Sequence, residues 1–207
     1  MKRKRVWRIV SVALIVVWAV VIFSFSAQPD TESSEISGHV SYRIVKMWNQ
    51  VFGLKHSGPE LEQMAQKIEY PVRKAAHMSE YAVLALLIFQ ALTAFDRKKN
   101  RGCMALGITA AYAATDEFHQ LFVPGRAGRV TDVLIDSAGA FLALLAIHII
   151  LYLSELYRIA DTVSAVFRHR VTLGISIPVT DTGHFLSGCG RGDPIKHKLM
   201  LRLIAGY

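Results

Sequence analysis

Four long apolar segments dominate this 207-residue chain and restrict what it can fold into. They occupy residues 6–25, 75–95, 102–122 and 133–153. Each is close to the roughly 20 residues that a helix needs to cross a hydrocarbon core of about 30 Å. Only helices and closed barrels satisfy every backbone hydrogen bond within lipid. The pattern therefore predicts an all-α, polytopic membrane bundle with four transmembrane spans.

The formal net charge is +8, but the basic residues stand in blocks beside the apolar segments. A nucleic-acid partner would instead require basic residues along a soluble surface, so the pattern favours the lipid bilayer. Basic blocks at residues 2–8, 97–101 and 158–202 mark the side that stays in the cytoplasm. Residues 26–72 have a mildly acidic balance that suits the opposite side. We therefore predict that both termini are cytoplasmic.

The first apolar segment has an alternative interpretation. It follows a basic stretch, residues 2–5, and ends with the small residues Ser24 and Ser26, a pattern that is also found in cleaved signal peptides. Its apolar stretch is longer than that of a usual signal peptide, which favours a retained span. Cleavage would not change the orientation of the later segments.

Ionisable residues are concentrated in residues 115–139, between the third and fourth apolar segments. A charged side chain at membrane depth is costly unless it is paired or hydrated, so such a cluster is a functional-site hypothesis by default. Helix rise places Asp116 about 21 Å from the inner end of its span, close to the outer surface. His77 and Glu80 of the second span and Asp136 of the fourth fall at the same level. The sequence thus predicts a polar site at the outer leaflet.

Acids and histidines from two of the predicted spans form a possible catalytic set: His119, Asp116, Glu117, His77 and Glu80. A carboxylate can orient an imidazole, and the imidazole can then move protons during hydrolysis or group transfer. His119 would be the proton mover. The same acids could instead pair with nearby basic residues and hold the helices together. Both interpretations stay open.

A second set of polar residues is expected to bind a substrate: Arg73, Lys74, Gln120, Arg126, Arg129, Asp132 and Asp136. Arginines beside the exposed amides of a helix N-terminus can hold a phosphate or a carboxylate. Arg126 and Arg129 have this arrangement, in a loop that Pro124, Gly125 and Gly128 would bend tightly. The alternative is an ordinary interfacial loop whose arginines reach lipid headgroups.

A divalent metal is the third possibility, because the histidines and acids of the catalytic set include ligand types that suit zinc. Their spacing differs from the HExxH pattern, and no cysteine lies near them. We therefore predict no metal site. The sequence indicates no particular cofactor.

Two further helices are predicted between the first and second spans. Residues 37–54 place Val40, Ile44, Met47, Trp48 and Val51 on one face, as in a helix that lies on the outer membrane surface. A second helix should begin near residue 57, with Leu61, Met64, Ala65 and Ile68 as its buried stripe. The pair could cover the polar site as a lid or serve only as a spacer.

Three motifs resemble those of the VanZ-like family: SFSAQP at residues 24–29, RKAAHMSEY at 73–81 and DEFHQLFVPGRAGRVTDVLIDSAG at 116–139. The resemblance covers about the first 153 residues, and the third motif is highly specific. It implies a small polytopic membrane protein of the bacterial cell envelope, located in the plasma membrane. The family is named for a member that gives low-level resistance to the lipoglycopeptide teicoplanin. It implies no particular reaction.

The leading hypothesis is that the protein recognises or chemically alters an envelope amphiphile, such as a lipid-linked phosphate or glycan precursor, which approaches from the outer leaflet. A competing hypothesis is a non-enzymatic membrane factor whose polar cluster is structural. A proton-coupled transporter fits less well, because the inner halves of the spans lack acids. Residues 154–207 are expected to form a cytoplasmic tail, and the oligomeric state stays open.

Overall fold

The computed structural model describes residues 2–97 and 99–172, which form five α-helices and no strand. The helices are α1 (Lys2–Ser26), α2 (Asp30–Val51), α3 (Gly58–Ala94), α4 (Arg101–Gln120) and α5 (Val130–Thr172). The prediction of an all-α protein is therefore confirmed over the described residues. Most of the predicted tail, residues 173–207, lies outside them.

Three of the helices are long and apolar enough to cross a membrane: α1, α3 and the Val130–Ala165 part of α5. Between 17% and 33% of the residues in their most apolar windows are buried inside the protein, so most of their apolar surface remains for lipid to cover. The predicted span at residues 102–122 corresponds to α4 but is not one of the three. Asp116, Glu117 and His119 near its C-terminal end lower its mean hydropathy.

α3 is longer than the sequence suggested. Its N-terminus is the predicted one, because the Ser57 backbone N–H donates to Glu60 Oε2 over 2.7 Å in a capping box. The helix then continues through Pro71 to Ala94, whereas the hydropathy pattern separates an outer helix from a span that starts at residue 75. An internal proline removes one helical hydrogen bond, but packing against neighbouring helices can keep the helix continuous.

Small side chains bring α1, α3, α4 and α5 close together around Tyr81, which is completely buried. Ala85, Ala105, Ala113 and Ala140 are also fully buried at these contacts, as expected where membrane helices approach closely. α1 contributes Ser11, Ile22 and Ser26 to the buried residues. α1 is thus part of the core, and whether it is retained or cleaved stays a prediction.

α2 packs against the N-terminal part of α3 through a small cluster of Val45, Leu61 and Ala65. The face of α2 that the sequence assigned to the membrane surface is exposed: Val40 43%, Ile44 37%, Met47 60%, Trp48 57% and Val51 71%. The chain divides into two compact units, Met1–Leu153 and Ser154–Tyr207. All predicted site residues belong to the first unit.

Candidate functional site

Asp116 is the centre of a buried polar network that joins three helices. It is only 3% exposed, and its Oδ2 atom accepts hydrogen bonds from Ser26 Oγ of α1 (2.5 Å) and from the Tyr81 hydroxyl of α3 (3.0 Å). Gln120 Nε2 donates to the same Ser26 oxygen over 2.7 Å. The second carboxylate oxygen, Oδ1, is buried and has no hydrogen-bond partner among the described residues. Asp116 therefore keeps one acceptor available after it has linked the helices.

Glu117 holds the loop between α4 and α5. It is 6% exposed, and its Oε2 atom accepts a hydrogen bond from the Arg129 backbone N–H over 2.9 Å. Arg129 directly precedes α5, so the carboxylate lies where a helix N-terminus favours negative charge. A Cβ atom at Gly128 would collide with the Glu117 carbonyl oxygen, which explains the small residue there. This geometry makes Glu117 part of a helix cap.

Arg126 reaches across to the C-terminal end of α1. Its Nε atom donates to the Gln28 carbonyl oxygen (3.1 Å) and its Nη2 atom to the Phe25 carbonyl oxygen (3.3 Å). Cations are favoured at this end of a helix. Burial lowers the pKa of the Arg126 guanidinium from its ordinary value, and the positive charge of Arg73 acts in the same direction. Arg126 thus uses these donors to connect the loop with α1.

The other two basic residues predicted to bind substrate form ion pairs within the protein. Lys74 Nζ lies 2.6 Å from Asp132 Oδ2, and both side chains are less than a fifth exposed. Arg73 lies 2.7 Å from Asp30 and 2.9 Å from Glu69, and it also donates to Ser34. These contacts connect α3 to α2 and α5.

Three further predicted residues come together near Asp116. His77 Nδ1 lies 3.7 Å from Glu80 Oε2, which is buried and has no hydrogen-bond partner in the described part of the chain. Asp136 of α5 is 2% exposed and lies within electrostatic range of Lys74 and Glu117. All three side chains lie within electrostatic range of Asp116. Carboxylates from α3, α4 and α5 therefore share one region.

His119 does not join the acids that were expected to orient it. Its ring packs 4.4 Å from the ring of Phe23, measured between centroids, and it is half-buried. Within the described residues its Nδ1 atom has no hydrogen-bond partner, and no hydrogen bond connects it to Asp116 or Glu117. The role of His119 as a proton mover stays a prediction, without a preformed carboxylate–imidazole pair.

Two members of the network were missing from the predicted site, Ser26 and Tyr81. Both stand in motifs that the sequence offered, since Ser26 belongs to SFSAQP and Tyr81 ends RKAAHMSEY. A serine at the end of a span was instead associated with a possible cleavage site. Asp30, the partner of Arg73, was missing as well, and its position next to SFSAQP was the available signal.

Among residues 2–97 and 99–172, no three histidine, cysteine, aspartate or glutamate side chains form a group that could hold a metal ion. The prediction that the site holds no metal stays a prediction. The site offers carboxylate acceptors, imidazoles and a few basic side chains.

Comparison with known proteins gives one match. The family model described as VanZ/LLP1 matches residues 11–152, which include every residue of the site. No curated protein and no solved structure matches the chain. Because the matched region is well over half of the chain and contains the buried network around Asp116, this protein belongs to the VanZ/LLP1 family.

Proposed function

We propose that this protein is a multi-pass component of the bacterial cell envelope that recognises an envelope amphiphile at a polar site in the outer leaflet. The observation that carries the proposal is Asp116, which is 3% exposed at the junction of three helices and has an acceptor oxygen without a partner. An ionisable group at membrane depth is expensive, and such groups usually serve a function.

The topology that we propose has four spans, with α4 as the third. α4 has 20 residues, which gives a length of about 30 Å, and Ala105, Thr109 and Ala113 are fully buried along it. The opposite end of the bundle from Asp116 carries the basic residues Arg8 and Arg101. Because basic residues favour the cytoplasmic side, both termini would be cytoplasmic and the polar network would face outward.

Apolar side chains next to the network support an amphiphilic ligand. Phe118, Phe122 and Leu134 are 64%, 72% and 65% exposed, and they lie on the outer ends of α4 and α5 or in the loop between them. A molecule with acyl chains could lie along this surface while its headgroup reaches the buried carboxylates. The ligand would then approach sideways from the lipid.

We further propose that α2 lies on the outer membrane surface. Its exposed stripe includes Met47, Trp48 and Val51, and Trp48 packs against Phe52 at 4.5 Å between ring centroids. Aromatic side chains favour the level of the headgroups, and Arg43 at the edge of the stripe can reach anionic lipids. Pro71 of α3 gives the helix pair a place to bend toward the membrane.

The expected consequence of ligand recognition is reduced susceptibility to a lipoglycopeptide such as teicoplanin. The test is complementation of a deletion strain with Asp116→Asn. An asparagine can still accept the hydrogen bonds of Ser26 and Tyr81 through its oxygen, but it loses the charge and the available acceptor. Glu35→Gln is the matched control, because Glu35 is exposed on α2.

We expect Asp116→Asn to lose protection while its amount in the membrane stays normal, and Glu35→Gln to behave like the unmodified protein. Full protection by Asp116→Asn would refute a functional role for this carboxylate. Comparison of envelope lipids by mass spectrometry then separates chemical turnover, with His119 as the proton mover, from binding alone.

The alternative is a non-enzymatic membrane factor whose polar cluster is structural. The observation that favours it is that Lys74, Arg73 and Glu117 all have partners within the protein. In that case Asp116→Ala, which removes the hydrogen-bond acceptor altogether, would reduce the amount of protein in the membrane. Asp116→Asn would be harmless.

A further inference from the structure

The basic side chains of Arg73, Lys74 and Arg126 have partners within the protein, while two buried carboxylate oxygens, Asp116 Oδ1 and Glu80 Oε2, have no hydrogen-bond partner among the described residues. This is the reverse of the anion site that the sequence suggested. We propose that the headgroup recognised here carries a primary ammonium, so that the ligand is an amine-bearing outer-leaflet lipid. The proposal rests on the proposed function and specifies the ligand of the same site.

The free acceptors come from two helices, α3 and α4. Asp116 Oδ1 and Glu80 Oε2 are buried and have no hydrogen-bond partner among the described residues, although Glu80 Oε2 lies 3.7 Å from His77 Nδ1. Asp136 of α5 is 2% exposed and lies within electrostatic range of Asp116, Glu117 and Lys74. An ionised carboxylate can only accept hydrogen bonds, so the complementary group must be a donor, and positive charge strengthens each bond.

The basic side chains near Asp116 already have partners, so they are poorly placed to bind an anionic headgroup inside the site. Lys74 lies 2.6 Å from Asp132, Arg73 binds Asp30 and Glu69, and Arg126 donates to the Gln28 and Phe25 carbonyl oxygens. Removing any of them from its partner would leave a charge or a helix end unpaired. The interior of the site is therefore rich in acceptors.

Arg129 is the exception and lies at the rim. Its side chain is exposed and makes no hydrogen bond or ion pair with the residues that the structure describes. Its backbone nitrogen is 2.9 Å from Glu117 Oε2, so the residue is anchored beside the carboxylates. A guanidinium here can take a phosphate while the ammonium goes inward. This arrangement fits a zwitterionic headgroup such as phosphoethanolamine.

A primary ammonium matches the acceptors better than the other donors do. It offers three N–H donors to a region whose unpartnered acceptors include Asp116 Oδ1 and Glu80 Oε2, whereas a hydroxyl offers one donor and a trimethylammonium offers none. A trimethylammonium group is normally held by aromatic faces rather than by carboxylates.

The experiment measures binding of short-chain lipids to the full-length protein in detergent micelles. The probes are dihexanoyl phosphatidylethanolamine, its phosphatidylcholine and phosphatidylglycerol counterparts, and soluble phosphoethanolamine. We expect phosphatidylethanolamine to bind at least about tenfold more tightly than phosphatidylcholine, because the latter lacks N–H donors. Asp136→Asn should remove most of that difference, and Glu35→Gln should leave it unchanged. Arg129→Gln should weaken the binding of all three lipids.

Several outcomes would overturn the proposal. Equal binding of phosphatidylethanolamine and phosphatidylcholine would exclude ammonium recognition, as would an Asp136→Asn variant that still distinguishes them. Equally tight binding of soluble phosphoethanolamine would assign the site to a soluble amine instead of a lipid. If Asp116→Asn abolishes binding of all three lipids to the same extent, amphiphile recognition stands and only the ammonium fails. If no lipid binds, the proposed function fails as well.

Discussion

The contact between Gly139 of α5 and Met78 of α3 offers the sharpest test of the packing. A Cβ atom added at Gly139 would lie 2.9 Å from the Met78 Cα atom and closer still to its carbonyl oxygen. These are backbone atoms, so they can move only if a whole helix shifts. Overpacking of this kind typically destabilises a protein by about 1 to 3 kcal/mol. We therefore predict that Gly139→Ala lowers the free energy of unfolding by this amount.

Gly107 of α4 provides a matched control. A Cβ atom there would meet nothing within 4 Å, and its backbone lies inside a regular helix. Replacing a helical glycine with alanine in open space stabilises the helix by up to about 1 kcal/mol. The unfolding free energies of the two Gly→Ala variants should thus differ by about 1 to 4 kcal/mol, with Gly139→Ala the less stable.

The assay is unfolding of the purified protein in micelles by titration with sodium dodecyl sulfate, followed by circular dichroism. We expect a lower midpoint for Gly139→Ala and an equal or higher midpoint for Gly107→Ala, relative to the unmodified protein. Asp136 lies almost one turn before Gly139, so Gly139→Ala should also impair complementation. Equal midpoints for the two variants would refute the close approach of α3 and α5.

Three further predictions concern the polar contacts. Tyr81→Phe removes one hydrogen-bond donor to Asp116. It should lower the unfolding free energy by about 1 kcal/mol, since a hydrogen bond between membrane helices contributes only modestly to stability. The same detergent titration checks this, and an unchanged midpoint would contradict it. Lys74→Ala should destabilise more than Lys74→Ala combined with Asp132→Ala, because the single variant leaves a largely buried carboxylate unpaired. The double-mutant cycle measures this, and additive effects would argue against the ion pair. Arg126→Ala should increase amide hydrogen exchange in the loop before α5, because its contacts with the end of α1 are lost. Protection equal to that of the unmodified protein would count against this role.

Much of the fold could be predicted from local pattern. The apolar runs and the capping box at Ser57 gave the positions of the helices, because backbone hydrogen bonding in lipid and at helix ends depends on nearby residues. The continuous α3 could not be predicted in the same way. Pro71 and the drop in hydropathy before residue 75 both indicate a break, and only packing against neighbouring helices keeps the helix continuous.

Most residues of the site could also be identified from the sequence, but the residues that they contact could not. Asp116 was identified as central, yet its partners Ser26 and Tyr81 are 90 and 35 residues away in the chain. Arg126 is predicted to hold an anion, and the sequence gives no sign that its Nε and Nη2 atoms also contact the end of α1. Periodicity places a residue on a face of its own helix, but it does not say which other helix that face meets.

The sequence alone determined that this chain is helical, belongs in a membrane and has ionisable residues near one end of its apolar segments, because these properties follow from composition and spacing along the chain. The tertiary structure decided which of those charges neutralise one another and which oxygens remain free. Which charged groups pair depends on how closely the helices approach one another. Residues as small as Gly139 and Ala113 set those distances, and contacts within a few ångströms determine whether a buried carboxylate has a partner.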